Sequence, residues 1–247
     1  MTNIVLLVRD RPRLTEQALR TLFQNTPKDQ FTLTICDDGS WPETAEIIRR
    51  YANYENVEVV TFRKSVGIVG FLRNVGAATS ERVFGRGEYL YHGDNDVAVF
   101  PGWLAQMTAS LNLLHEEVKL VGGYRHPFHG LTGNLIEPRI PGSCRGIEPT
   151  DAVAGYSHLM RWSTWDAFGP YDQHAKGVCQ SEDYSFCQRI INARGVGGSY
   201  EHPNPLLGYK VGYIHPPVIA VCGVTNTENK PAIGSDQIPR VPGLVYV

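Results

Sequence analysis

Asn3-Ile4-Val5-Leu6-Leu7-Val8, followed at once by Arg9-Asp10-Arg11-Pro12, decides the fold. The run is continuously apolar after its first residue, as expected for a strand covered on both faces rather than one. Pro12 suits the first turn of a helix, where a missing N–H costs nothing. Leu14, Ala18, Leu19, Leu22 and Phe23 then recur at helical spacing as far as Asn25. The same unit repeats downstream. Phe31-Thr32-Leu33-Thr34-Ile35-Cys36 is β-rich, and Ser40-Trp41-Pro42-Glu43 is a capping-box pattern predicting a helix to about Tyr54. A third strand is expected over 57–62, a helix over 67–79 and a fourth strand over 89–92. Strands alternating with helices of about a dozen residues predict an α/β domain, its central sheet mostly parallel and flanked by helices.

The second half is less regular. A helix is expected over 101–114, with Trp103, Leu104, Met107 and Leu111 on its apolar side, and a strand over 118–121. Residues 124–149 are rich in Gly, Pro, Arg and His and read as a long surface excursion. A strand over 155–162, a short helix over 163–168 and a helix over 181–193 follow, then strands over 210–214 and 218–221. The tail from Thr225 reads as irregular. Neither an internal repeat nor a low-complexity linker interrupts 1–247, so one continuous domain is expected.

Composition bounds the function. Hydrophobic residues make up 42% and charged residues 19%, as in ordinary globular proteins. A formal net charge of −2 gives no global basic field to recruit nucleic acid. The apolar run at 3–8 is too short for a signal peptide, and no stretch approaches the roughly 20 apolar residues of a membrane span. Cys36, Cys144, Cys179, Cys187 and Cys222 are odd in number and scattered, which fits reduced thiols. The expectation is a soluble, cytoplasmic protein.

Ligands of parallel sheets bind beyond the carboxyl ends of the strands. That rule puts Arg9-Asp10, Asp37-Asp38 and Asp94-Asn95-Asp96 on one rim. Two carboxylates one residue apart suit a hard divalent cation carrying phosphate oxygens, though Asp and Asn are also ordinary turn residues. Glu182-Asp183 opens a helix, where acids complement the dipole; a carboxylate there could equally serve as a general base. His126, His129 and His158 lack the regular spacing of a zinc site. Gly195-Val196-Gly197-Gly198 follows a helix and is no dinucleotide fingerprint.

Several stretches together resemble the GT-A glycosyltransferases, particularly their large family-2 group of inverting enzymes. Thr34-Ile35-Cys36-Asp37-Asp38-Gly39-Ser40 is similar to that group's second-strand motif, and Arg9-Asp10-Arg11-Pro12 stands where those enzymes often have Tyr-Asn-Arg-Pro. The stretch 66–76, with Arg73-Asn74-Val75-Gly76, resembles their Ala-Arg-Asn-x-Gly helix, Leu72 taking the alanine position. Asp94-Asn95-Asp96 matches the DxD metal motif. Gly155 to Trp162, Phe168 to Asp172 and the helix opened by Glu182-Asp183 follow in the order of the acceptor half. The resemblance spans roughly residues 4–191. It implies a single GT-A (Rossmann-like) domain with a nucleotide-sugar-binding half over 1–97, an acceptor half over 98–224 and a tail over 225–247.

The resemblance also implies the chemistry: transfer of a sugar from a nucleotide-diphosphate donor, with Mn2+ or Mg2+ as cofactor. Asp96 would be the direct metal ligand and Asp94 would address the ribose or a metal-bound water, beside Asn95. Asp38, with Asp37, would accept hydrogen bonds from the base, while Arg73 could pair with the pyrophosphate and Arg9 sits on the same donor side. Asp183 would be the base of an inverting transfer and Glu182 would orient the acceptor. The third metal ligand stays open between His215, His202 and Cys222, with His215 preferred. The acceptor is a hydroxyl on a glycan, a protein or a hydroxymethylated base of phage-type DNA. The last is suggested by Tyr124, Arg125, His126, Phe128, His129, Arg139 and Arg145 in the long loop. A catalytically silent nucleotide-sugar-binding module is the other reading. A nucleotidyltransferase is disfavoured, because residues 3–13 contain no glycine-rich phosphate loop.

Overall fold

A computed structural model describes residues 1–113, 117–125, 131–138, 142–173, 182–193 and 209–222. His126, Phe128, His129, Arg139, Cys179, the glycines at 195–198, His202 and the tail lie outside the described residues. The first half follows the expected rhythm: β1 (Thr2–Val8), α1 (Pro12–Asn25), β2 (Phe31–Asp37), α2 (Pro42–Tyr51), β3 (Val57–Thr61), α3 (Val69–Phe84) and β4 (Tyr89–Asp94). Then come β5 (Val97–Val99), α4 (Trp103–Leu113), β6 (Val118–Gly122), β7 (Gly146–Thr150), β8 (Ser157–Arg161), α5 (Trp162–Phe168), α6 (Glu182–Asn192), β9 (Lys210–His215) and β10 (Ile219–Val221).

Every residue of β1 is buried, and the pleat explains why the run is unbroken. Ile4, Leu6 and Val8 join Leu19, Leu22, Ile47, Ile48 and Trp103 on one face of the sheet. Val5 and Leu7 join Leu72, Ala77, Trp162, Phe186 and Ile190 on the other. α1, α2 and α4 thus cover one face, and α3, α5 and α6 the opposite one. Gly76 lets α3 approach: a Cβ there would lie 2.3 Å from Val5 Cγ1 and 2.9 Å from Cys36 Sγ.

The eight strands of the main sheet run in the order β3-β2-β1-β4-β8-β6-β9-β7. β1 pairs in parallel with both β2 and β4, and β2 with β3. Chain order therefore reverses across β1 and β4, which makes their carboxyl ends the crevice of the sheet. β8 enters antiparallel between β4 and β6, and β7 lies antiparallel on β9 at the edge.

Five local differences from the expectations appear. α2 is capped by Trp41 without a side-chain hydrogen bond, because Ser40 Oγ is taken by the backbone N–H of Asp10 at 2.9 Å. α2 also stops at Tyr51 rather than Tyr54, whereas α3 runs on to Phe84. Residues 146–150, read as loop, form β7; its Pro149 is tolerated because β7 is an edge strand. Finally, β5 and β10 pair into a small second sheet that the sequence did not announce.

Candidate active site

The rim of the crevice is set by register. Val8 pairs with Asp37, and Leu7 with Asp94, so the chain leaves β1, β2 and β4 at neighbouring points. After β1 the backbone makes an unusual turn: Asp10 and Arg11 both have positive φ, 52° and 55°. Left-handed conformations cost a non-glycine residue of order 1–3 kcal/mol and persist only where surroundings over-determine them. Here they do. Besides the Ser40 contact, Asp10 Oδ1 accepts from the Trp41 N–H at 2.8 Å. The Asp10 carbonyl accepts from Asn95 Nδ2 and Thr15 Oγ1, each at 3.0 Å. Asn95 also donates to Thr15 Oγ1 at 2.7 Å, so this residue faces inward and holds the turn.

Asp96 lies across from that turn. Its side chain is 4% exposed, Oδ2 accepts from Arg11 Nη1 at 2.9 Å, and Oδ1 is buried without a hydrogen-bond partner among the described residues. Burial, aided by neighbouring Asp94 and opposed by Arg11, lifts its carboxyl to about 6. A buried anionic oxygen lacking a donor is costly unless a cation faces it, so the residues fit a hard divalent ion.

Asp37 and Asp38 are both buried. Asp37 Oδ1 accepts from the Ser40 N–H at 3.0 Å. Asp38 takes Ser65 Oγ at 2.6 Å on Oδ2, the Val66 N–H at 2.6 Å on Oδ1 and the Gly67 N–H at 3.2 Å on Oδ2. It thereby folds the 65–67 loop against the crevice. Arg9 is exposed at the end of β1.

Arg73, expected to pair with the pyrophosphate, is engaged by carboxylates of the protein itself. Its side chain is 1% exposed; Nη2 donates to Asp94 Oδ1 at 3.0 Å and Nε stands 3.7 Å from Glu182 Oε1. Burial works against its charge, but Asp94 and Glu182 outweigh it and keep the guanidinium protonated. Glu182 itself is raised by burial and drawn back by Arg73. Gly155 makes room for the contact, since a Cβ there would lie 2.7 Å from Arg73 Nη2. The Gly155 N–H donates to Asp183 Oδ2 at 2.9 Å, and the Tyr184 N–H to Asp183 Oδ1 at 2.7 Å. Asn74, the next residue on α3, exchanges two bonds of 2.9 Å with the backbone of Tyr171. One helix therefore ties the Asp94 end of β4 to the acid pair of α6.

Behind this network His92 and His158 face each other across β4 and β8. His158 bonds Tyr171 Oη at 2.7 Å and the Val153 carbonyl at 2.6 Å, a core role rather than a ligand's. His92 is fully buried against Trp165 and Tyr171, and burial with Arg73 nearby keeps it neutral.

The third metal ligand is not brought together as expected. His215 ends β9, is exposed, and pairs through Nδ1 with Glu148 Oε1 at 3.3 Å. β8 and β6 intervene between β9 and β4, a lateral separation of about 14 Å at the usual strand spacing. Cys222 is the neighbour of Asp96, donating its N–H to the Asp96 carbonyl at 2.6 Å. Among the described residues no three His, Cys, Asp or Glu side chains form a metal-holding group. In the long loop, Arg125 pairs with Glu148 at 3.2 Å and Arg145 donates to the carbonyls of Pro216 and Pro217.

Sequence reasoning missed Arg11, Asn74 and Gly155 as site residues. Arg11 lay inside the quoted Arg9-Asp10-Arg11-Pro12 stretch, but its contact with Asp96 depends on two consecutive left-handed non-glycine residues, which residue types do not foretell. Asn74 and Gly155 lay inside recognised stretches, but their partners are 97 and 28 residues away.

Comparison with known proteins agrees with this fold. The profile of Glycosyl transferase family 2 matches residues 4–137. The poly(ribitol-phosphate) β-N-acetylglucosaminyltransferase TarS of Staphylococcus aureus is 29% identical over 98 residues, covering 40% of this chain and 16% of TarS. The crystal structure of TarS 1–349 superposes with a TM-score of 0.60 at 16% identity, over 88% of this chain and 59% of that one. GalNAc-T7, solved with UDP, GalNAc and Mn2+, gives 0.63 at 13% identity, over 87% and 42%. The mannosyltransferase PcManGT of Pyrobaculum calidifontis, solved with GDP-Man and Mn2+, gives 0.58 at 14% identity, over 87% and 54%. These likenesses show a shared GT-A fold, and the chain spans about a sixth of the length of the curated relatives it matches. No helix among the described residues is long and apolar enough to cross a membrane. With the family profile covering more than half of the chain, the protein belongs to glycosyl transferase family 2.

Proposed function

We propose that the protein transfers a sugar from a nucleotide-diphosphate donor to an acceptor hydroxyl, with inversion, and that a divalent metal assists at Asp94 and Asp96. The observation that carries this reading is the Arg73 guanidinium, which holds Asp94 of the donor rim and Glu182 of the acid pair in one buried contact. Donor carboxylates and base are thereby kept in fixed relation, as a displacement at one carbon demands.

Asp96, with its bare Oδ1, would hold the metal directly, Mn2+ or Mg2+, while Asp94, whose Oδ1 is taken by Arg73, would address the ribose or a metal-bound water; Cys222 or a residue beyond the described ones would complete the set in place of His215. Bound there, the cation neutralises charge on the departing nucleoside diphosphate. Asp183 is the base: both its oxygens are aimed by backbone N–H groups, leaving lone pairs for an acceptor hydroxyl. Glu182 does not reach outward but sets the height of α6 through Arg73. Asp37 and Asp38 shape the base pocket through the 65–67 loop, with exposed Trp41 beside them as a stacking surface. Arg9 adds positive charge at the donor rim.

The donors in relatives' structures are UDP- and GDP-sugars, so these are the first to try. The acceptor is a hydroxyl of a glycan or polyol phosphate of the kind TarS is named for. The net charge of −2 and the internal pairing of Arg125 and Arg145 give the modified-DNA acceptor no support. A thermal-shift panel of UDP- and GDP-sugars with and without Mn2+ tests the reading. One donor should raise the melting temperature only when Mn2+ is present; no shift with any donor would contradict it.

A further inference from the structure

Arg11 stands in a place that the metal-dependent reading leaves unexplained. A guanidinium already lies on Asp96 Oδ2 at 2.9 Å, while Oδ1 of the same carboxylate is buried and lacks a hydrogen-bond partner among the described residues. A guanidinium and a divalent ion sharing one carboxylate would stand a few ångströms apart and repel strongly in so buried a setting. The arginine's position is built rather than accidental. The turn that aims it is left-handed at both Asp10 and Arg11 and is held by Ser40, Trp41, Asn95 and Thr15. Asn95, between the two DxD carboxylates, is itself one of those anchors, so the turn and the metal motif are locked together. The side chain of Arg11 is 36% exposed, unlike that of Arg73, so solvent reaches it where it meets Asp96.

We propose that Arg11 is the resident counter-ion of Asp96 and that a divalent cation must displace it. Metal alone then binds weakly. A nucleoside diphosphate brings anionic oxygens that satisfy both the metal and the released guanidinium, so metal and donor bind with strong mutual coupling. Coupling of this kind is reciprocal: whatever the diphosphate does for metal affinity, the metal does for the diphosphate. The inference rests on the metal reading above and adds to it the order of events and the residue that enforces it.

Binding of Mn2+ alone, followed by electron paramagnetic resonance, tests this in wild type, Arg11→Asn, Arg11→Gly and Arg11→Lys. Asn and Gly both tolerate the left-handed backbone, so the turn survives and thermal melts should confirm it. Removing a charge-assisted competitor should tighten Mn2+ binding about tenfold in the Asn and Gly variants, while Lys stays near wild type. Adding UDP or GDP should then improve Mn2+ affinity less in the Asn and Gly variants than in wild type. Unchanged or weaker Mn2+ binding in folded Asn and Gly variants overturns the proposal. Asp96→Asn separates the two failures. If it abolishes Mn2+ binding but the Arg11 variants are not tighter, only this inference fails. If Mn2+ binding is indifferent to Asp96, or absent throughout, the metal reading fails and this inference with it. Binding by Arg11→Asn where wild type shows none supports the proposal in its strongest form.

Discussion

The two sides of the rim hold their carboxylates by opposite means. On the β1 side, Asp96 faces a half-exposed arginine on a strained turn. On the α3 side, Asp94 and Glu182 share an arginine that solvent hardly reaches, set on a regular helix. Under the proposal above, the first arrangement exchanges its cation and the second does not. On the proposed function, a donor with its metal has to arrive and depart, whereas the distance between donor carboxylates and base has to stay constant. The difference between the two arginines follows that division of work.

Changing Arg73 should have the largest effect on stability. Arg73→Met leaves Asp94 and Glu182 without their shared counter-charge, and breaking such a buried pairing costs about 3–5 kcal/mol. Chemical denaturation measures this; a loss below about 1 kcal/mol would mean the two sides are less different than drawn. Asp96→Ala should leave the fold standing and abolish metal-dependent donor binding, and unchanged calorimetric binding of UDP or GDP with Mn2+ would remove Asp96 from the metal site. Gly155→Ala pushes a methyl group toward Arg73 Nη2 and should cost about 1–3 kcal/mol. It should also slow transfer, because the same residue positions Asp183. A wild-type melt and rate for this variant would show that the contact between Gly155 and Arg73 is looser than its distances. Glu46→Ala breaks an exposed ion pair with Arg49 on α2 and should shift stability by less than about 0.5 kcal/mol. It calibrates how far burial, rather than charge pairing itself, sets the scale.

The first half of the fold was legible because its signals are local. β1, β2 and β4 are continuous or alternating apolar runs, and the helices between them carry their own periodicity within a dozen residues. In the second half most elements were foreseen too, β5 and β7 apart, but the way its strands pair was not, for a physical reason. β8 takes its place between β4 and β6 through pairings such as Leu90 with Met160, which no window of sequence contains. β7 hides behind Gly146 and Pro149, residues that argue against a strand unless it lies on an edge. In the site, the carboxylates could be named because Asp in those patterns suggests chemistry by itself. Their partners could not: Arg11 reaches Asp96 across 85 positions, and Arg73 on α3 reaches Glu182 on α6, a helix far along the chain. His215 illustrates the converse, a metal-capable residue type set three strands away from the carboxylates it was expected to join.

The central claim is that Asp183 removes the acceptor proton in a sugar transfer from a nucleotide donor held at Asp94 and Asp96. Its most direct test compares wild type with Asp183→Asn, using the UDP- or GDP-sugar that binds, with Mn2+ and an accepted hydroxyl compound. Both proteins should bind donor with the same Kd, while the variant transfers sugar at least about 100-fold more slowly. Near-normal transfer by Asp183→Asn, at unchanged donor affinity, would contradict the account.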